Sequence, residues 1–280
     1  MAPQEYSIEA CTRPNHMKRK LQDGQVVSAM SIRYSRGIEI VGYARAAGMD
    51  GVLVDLEHRQ VEIYSSIDLD QCAQFTMAAL AHGITPAVRV PGLAGALVGR
   101  VLDGGAQAII IPHVRSAQDA MESVSAAKFF PDGTRSAIAG LAALDYGVFP
   151  TIVANRAVNA NVLCILMIET LEALAAVDEI AAVPGVDVLL VGTNDLTACL
   201  GVPGLHDDPR VTEAYAAVTA ACRKHGRALG IGGLYARKDL IEKFIGMAEG
   251  IGRFVMCGSD QDYVLEGARR TASWLRGFNR

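Results

Sequence analysis

With 280 residues, 51% of them apolar, and a formal charge of −4, the chain is long enough to bury one large core. Its one short basic run, Lys18-Arg19-Lys20, is no electrostatic footprint of a nucleic-acid binder, and no apolar stretch nears the roughly 18 to 20 residues of a bilayer span. The polar N-terminal segment lacks the hydrophobic region of a secretory signal, so the expectation is a cytoplasmic protein with a small-molecule partner and neither nucleic acid nor membrane.

Residues 1–24 read as an N-terminal extension, and from residue 25 to 280 short β-branched runs alternate with longer helical patterns. In chain order, a strand over Val26–Met30 precedes a helix over Ile38–Ala47, and Gly51–Leu56 precedes Leu69–Ala81. Thr85–Arg89 is followed by Ala94–Leu102, and Ala108–Pro112 by Ala117–Ala127. Then come Leu163–Glu169 with Leu171–Ala182, Val188–Val191 with Val211–His225, Ala228–Ile231 with Asp239–Ile245, and Phe254–Cys257 with Tyr263–Leu275. Eight such pairs favour closure into a single-domain (β/α)8 TIM barrel. Glycines at Gly48, Gly83, Gly104, Gly226 and Gly246 read as left-handed helix ends. The irregular stretch Phe130–Asn159 is too long for an ordinary connection and reads as a functional loop beside the site, with Asp145 and Tyr146 as the place to seek specificity. Six cysteines lack CxxC spacing, which fits buried reduced thiols.

Polar chemistry collects where these strands end, the location of active sites in α/β barrels. Asp55 and His58 follow Val52-Leu53-Val54, Arg89 follows Pro86-Ala87-Val88, and His113 follows Ile110-Ile111-Pro112. Glu169 closes Ile165-Leu166-Met167-Ile168, and Asp195 follows Val191-Gly192-Thr193-Asn194. A carboxylate at such a point is either a metal ligand or a helix N-terminal acid favoured by the dipole. Arg89 has the planar fork of donors that suits an oxo acid or a salt bridge inside the barrel. His58 can exchange protons near neutral pH, with Asp55 orienting it or its water. His113 either lines the site or holds a loop. The backbone of Gly192, Thr193, Asn194 and Asp195 forms a loop-to-helix turn of the kind that binds anions. Cleaving a carbon–carbon bond beside a ketone needs a lysine Schiff base or a metal Lewis acid. No lysine falls within or at the end of a proposed strand, so a Schiff-base lysine is not expected. The GxGxxG pattern is absent, and neither NAD nor FAD is expected.

The runs Val54-Asp55-Leu56-Glu57-His58, Val88-Arg89-Val90-Pro91, Leu102-Asp103-Gly104-Gly105-Ala106-Gln107, Ile111-Pro112-His113-Val114, Met167-Ile168-Glu169-Thr170 and Val191-Gly192-Thr193-Asn194-Asp195-Leu196-Thr197 resemble the HpcH/HpaI aldolase family, in the family's order and over roughly residues 20 to 260. The resemblance implies a (β/α)8 barrel that makes or consumes the enolate of pyruvate with a divalent metal, Mg²⁺, Mn²⁺ or Co²⁺. Carried over residue by residue, it implies Glu169 and Asp195 as metal ligands, Arg89 as the group supporting the enolate oxygen, and Asp55 with His58 as the acid/base pair. It also implies a homo-oligomer, trimer or hexamer, whose C-terminal helix exchanges between subunits; the alternative is a helix that closes its own barrel. Arg135, which the family flanks with glycines and which here precedes Ser136, would brace Asp55 or shape the entrance. Met167 stands where the family has glutamine, and Val90 where it has proline. The implied reaction is aldol cleavage or condensation of 4-hydroxy-2-oxo acids. Alternatives are an oxaloacetate decarboxylase or macrophomate synthase-like enzyme using the same enolate, an acyl-CoA lyase like the citrate lyase β-subunit, and a non-catalytic binding protein.

Overall fold

The computed structural model describes residues 11–58 and 67–278. Its eight strands are β1 (Val26–Ile32), β2 (Gly51–Asp55), β3 (Thr85–Arg89), β4 (Ala108–Ile111), β5 (Leu163–Ile168), β6 (Val188–Gly192), β7 (Ala228–Gly232) and β8 (Arg253–Ser259). Every neighbouring pair is parallel and β8 closes on β1, giving the (β/α)8 barrel that the repeat implied. The described helices are α1 (His16–Gln22), α2 (Glu39–Ala46), α3 (Leu69–His82), α4 (Gly95–Asp103), α5 (Ala117–Ala127), α6 (Thr151–Asn161), α7 (Leu171–Ala175), α8 (Val177–Ala182), α9 (Thr193–Cys199), α10 (Pro209–His225), α11 (Lys238–Met247) and α12 (Asp260–Arg276).

Because successive strand residues face opposite sides, the apolar residues divide into two cores. Val27, Ala29, Leu53, Ala87, Ala108, Ile110, Leu163, Ile165, Met167, Val188, Leu190, Phe254 and Met256 fill the barrel interior. Their alternates, such as Ile32, Val54, Val88, Ile109, Cys164, Leu166, Ile168, Leu189 and Val191, pack outward beneath the helices. Strands buried on both faces read as continuous apolar runs, which is why their limits were legible.

The floor of the barrel is closed from below by α1. Met17, fully buried, enters the interior cluster, and a Cβ added to Gly51 would stand 3.0 Å from its Sδ and Cε. Asn15 caps this helix by accepting from the Lys18 N–H at 3.0 Å, and its amide donates to the carbonyls of Gln107 and Asn161. Lys18 Nζ donates to the Val162 carbonyl at 2.7 Å and pairs with Asp187 at 3.1 Å.

Several expectations change. The stretch Phe130–Asn159 is not a loop beside the site: it holds a short 3-10 turn, Ala142–Leu144, and most of α6. Its turn is pinned to the floor side, where the Arg13 N–H donates to the Ala143 carbonyl and the Arg13 side chain pairs with Asp145. The reason is direction: α5 runs back against the strands and β5 starts at the floor, so an excursion between them begins and ends there. Arg135 accordingly meets Asp103 at the end of α4, at 2.6 Å, and stacks 4.3 Å from the Phe129 ring centroid; it does not reach Asp55. The helix expected over Leu171–Ala182 breaks at Ala176 into α7 and α8. Gly104 has φ −71° and Gly246 lies inside α11; the left-handed positions are Gly105 at 106° and Gly250 at 84°. The last helix begins at Asp260 instead of Tyr263, because Ser259 and Asp262 form a capping box. α12 packs Asp260 and Tyr263 against its own barrel and leaves Val264, Leu265, Trp274 and Leu275 exposed.

Candidate active site

The inward parity of each strand continues one step past its last apolar residue and delivers the polar groups to the barrel mouth. Leu53 is followed by Asp55 on β2, Ala87 by Arg89 on β3, and Met167 by Glu169 after β5; Val188 and Leu190 lead to Gly192 on β6. Between them lies a cavity of about 170 Å³ whose walls include Arg33, His58, Arg89, Met167, Asp195 and Tyr235.

One wall is cationic and built around Asp55. Asp55 Oδ1 accepts from Arg89 Nε at 3.0 Å, and Oδ2 accepts from Arg89 Nη2 at 2.5 Å and from Arg33 Nε at 2.9 Å. Burial opposes ionisation of this carboxyl, but the hydrogen bonds and charge of Arg89, with the charge of Arg33, outweigh it and hold it below the ordinary carboxylate range. Asp55 is therefore an anion with its lone pairs engaged. It meets His58 through the backbone, accepting the His58 N–H at 3.3 Å, so what it orients through its side chain is the pair of arginines. Partial desolvation of a side chain still 57% exposed, followed by the charge of Arg89, lowers the His58 pKa and favours the neutral imidazole.

The facing wall is acidic. Glu169 is 1% exposed, and its Oε1 accepts from the His113 backbone N–H at 2.7 Å, with His113 Nδ1 at 3.0 Å. His113 Nε2 stands 3.0 Å from Glu57 Oε1, and Glu57 Oε2 is 3.0 Å from Arg89 Nη1. His113 has φ 58°, a left-handed backbone that turns it out of the strand alternation and toward Glu169. Burial raises the pKa of Glu57 and of Glu169, and the nearby charge of Asp195 adds to the shift of Glu169. The second oxygen of Glu169 lies over Gly192, where an added Cβ would stand 2.4 Å from Oε2. Only glycine leaves room for that carboxylate, which has an oxygen directed to the β6 edge where Asp195 opens α9. Two carboxylates that repel one another, Glu169 with one oxygen uncommitted and Asp195 on the cavity wall, are a donor set that fits a hard divalent cation keeping positions for water and substrate. Among the described residues no group of three or more His, Cys, Asp or Glu forms a closed cage.

Other predicted residues take different places. The Thr193 hydroxyl is buried against the Gly232 carbonyl at 2.6 Å and Tyr215 Oη at 2.8 Å, which anchors the start of α9. Asn194 Oδ1 lies 3.3 Å from His206 Nε2. Met167 puts its sulfur 4.0 Å from Arg89 Nη1, where the resemblance placed an amide. Sequence reasoning missed Arg33, Glu57 and Tyr235. Parity through Val27, Ala29, Ser31 and Arg33 is the signal that finds the first of them.

The profile of the HpcH/HpaI aldolase/citrate lyase family matches residues 36–266. The chain belongs to this family. It is an enzyme of the aldolase and lyase class, as the motifs implied. The 4-hydroxy-4-methyl-2-oxoglutarate aldolase of Hapsidospora irregularis is 37% identical over 263 residues, which span 92% of this chain and 93% of that protein. The HpcH/HpaI aldolase from Desulfitobacterium hafniense DCB-2 superposes with a TM-score of 0.81 at 26% identity, covering 92% of this chain and 96% of that one. Macrophomate synthase superposes with a TM-score of 0.75 at 23% identity, over 96% and 93% of the two chains, a likeness of fold alone.

Proposed function

We propose that this family member is a divalent-metal-dependent class II aldolase that cleaves 4-hydroxy-2-oxo acids between C3 and C4 through the enolate of pyruvate. The observation that carries the reading is the pair of facing walls: Glu169 and Asp195 beside Gly192 on one side, and Arg89 locked by Asp55 on the other. A Mg²⁺, Mn²⁺ or Co²⁺ ion held by Glu169 and Asp195 would supply Lewis acidity toward the 2-oxo acid. Arg89, its fork fixed by Asp55, supports the oxygen that gains charge as the C3–C4 electrons move onto the keto group. His58, neutral near pH 7, takes the 4-hydroxyl proton directly or through water, and the carbonyl partner leaves. A proton then returns to C3 to give pyruvate. The first-turn N–H groups of α9, from Thr193 to Asp195, complete the cradle for the substrate carboxylate. His113 positions Glu169.

The same reading extends to assembly. The exposed apolar side chains of α12 support a homo-oligomer, trimer or hexamer, in which this helix packs on a neighbouring barrel, and light scattering at the monomer mass would end that idea. Burial of Cys11, Cys72, Cys164 and Cys222 supports a reducing, cytoplasmic setting. No described helix is long and apolar enough to cross a membrane.

The test is pyruvate release, coupled to lactate dehydrogenase, from a panel of 4-hydroxy-2-oxo acids and from oxaloacetate, with each metal and with EDTA. Metal-dependent release that Glu169→Ala abolishes is the expected result. Release from oxaloacetate alone would favour the decarboxylase, and none from any substrate would favour the thioester lyase or the binding protein.

A further inference from the structure

We propose that Arg33 binds a second carboxylate of the substrate, remote from the 2-oxo acid group, and is the residue that makes this site prefer dicarboxylic over monocarboxylic 4-hydroxy-2-oxo acids. The inference rests on the reading above, and it names the substrate class of that same site.

Arg33 follows β1, and β1 stands four strands from β5 in a closed ring of eight, which puts Arg33 across the mouth from Glu169. A substrate whose oxo acid end meets the acidic wall would direct its far end to Arg33. The cavity's size, about 170 Å³, suits a short acyclic acid.

Its main chain is fixed by Asp260, whose Oδ1 accepts the Arg33 N–H at 3.2 Å and whose Oδ2 accepts the N–H groups of Tyr34 at 3.0 Å and Ser35 at 2.6 Å. Its side chain is fixed on two further sides, with Nε donating to Asp55 at 2.9 Å and Nη2 donating to Tyr235 Oη at 3.2 Å. Nη1 makes no hydrogen bond or ion pair among the described residues. The side chain is 19% exposed, enough to receive a ligand without being free in solvent. Charge points the same way. Arg89 has both Asp55 and Glu57, whereas the one carboxylate in ion-pair contact with Arg33 among the described residues is Asp55, which it shares with Arg89. A guanidinium that is pre-positioned, under-neutralised and presents a free donor edge to a substrate cavity suits a carboxylate.

The experiment compares 4-hydroxy-2-oxoglutarate with 4-hydroxy-2-oxovalerate, which differ by a carboxylate against a methyl group at the far end. The wild-type chain is expected to favour the dicarboxylate in kcat/KM. Arg33→Gln should slow both substrates, because Asp55 loses a partner, but the dicarboxylate should fall a further 10- to 100-fold or so, mostly in KM, with Arg33→Lys recovering part of it. Calorimetric binding of 2-oxoglutarate and 2-oxovalerate, with Mn²⁺ present, reads the same preference without turnover. Equal losses on both substrates, or a wild-type chain indifferent to the far carboxylate in rate and in binding, would overturn the role of Arg33 while leaving the aldolase reading intact. Cleavage of neither substrate would remove the aldolase reading, and the binding ratio would then decide Arg33 alone.

Discussion

Gly192→Ala isolates the geometry on which the acidic wall depends. Gly192 has φ −83° and ψ 81°, a backbone that alanine adopts without the penalty of a left-handed residue, so the effect is one of space. The new Cβ would stand 2.4 Å from Glu169 Oε2, 2.9 Å from Met167 Cε and 3.0 Å from Glu169 Cβ. Ordinary contact begins near 3.4 Å, so the carboxylate must move by 1.0 Å (3.4 − 2.4) or the strand must shift. Glu169 has little freedom to do so, because its other oxygen is held by the His113 N–H. A displacement of this size at a reacting centre costs about 10²-fold in rate, and overpacking costs about 1–3 kcal/mol of stability. Calorimetric Mn²⁺ titration should show weaker binding, by about 10- to 100-fold, and kcat/KM for pyruvate release should fall by about 10²-fold while the variant still unfolds cooperatively in urea. Unchanged metal affinity together with unchanged kcat/KM would refute the placement of Glu169 Oε2 over Gly192 as the metal-facing oxygen.

Asp55→Asn should cost about 3–5 kcal/mol in urea unfolding, since it leaves two arginines beside a neutral amide, and a loss below 1 kcal/mol or so would contradict the paired wall. The native Asp55 carboxyl lies below its ordinary range, so its contribution to stability is present above the unfolded pKa of about 3.9 and is lost as pH falls through the native value. The stability gap between wild type and Asp55→Asn should therefore narrow below about pH 4. For catalysis the neutral His58 is the active form, and partial desolvation with the Arg89 charge lowers its pKa, so activity should persist below the ordinary imidazole value of about 6.5 and fall as pH drops through the native one. An acid limb of kcat/KM at or above that value, or one that His58→Gln leaves in place, would remove His58 as the base. Met17→Ala empties the barrel floor and should cost about 2–5 kcal/mol by denaturant midpoint; a loss under about 1 kcal/mol would mean that α1 does not plug the barrel.

Much of this architecture was legible because parallel barrel strands are apolar on both faces and stop at a polar residue. Thr85–Arg89 matches its observed strand at both ends. The same contrast marked Asp55, Arg89, Glu169 and Asp195, each at or just beyond a strand end. Arg33 was not legible as a site residue because it follows a serine and an isoleucine in no recognisable motif, and only the inward parity of β1 distinguishes it from a surface arginine. Glu57 was hidden between Asp55 and His58, where attention fell on a carboxylate–imidazole pair that the fold resolves into a carboxylate–guanidinium pair. His113 needed its backbone angle to be placed, since strand alternation alone turns it away from Glu169. The stretch containing Asp145 and Tyr146 was misplaced because length says that an excursion exists but not at which end of the barrel. Helix direction supplies that, as α5 ends at the floor.

The most direct test of the enolate chemistry omits the carbonyl partner altogether. Pyruvate is incubated with the protein in D₂O with Mg²⁺ or Mn²⁺, and the methyl signal is followed by proton NMR after quenching and metal removal. Exchange of the methyl protons that depends on protein and metal, and that EDTA and Glu169→Gln each suppress, is the predicted result. Exchange at the rate of the metal-only control, in a preparation shown by calorimetry to bind the metal, would contradict the assignment of Glu169, Asp195 and Arg89 to enolate formation.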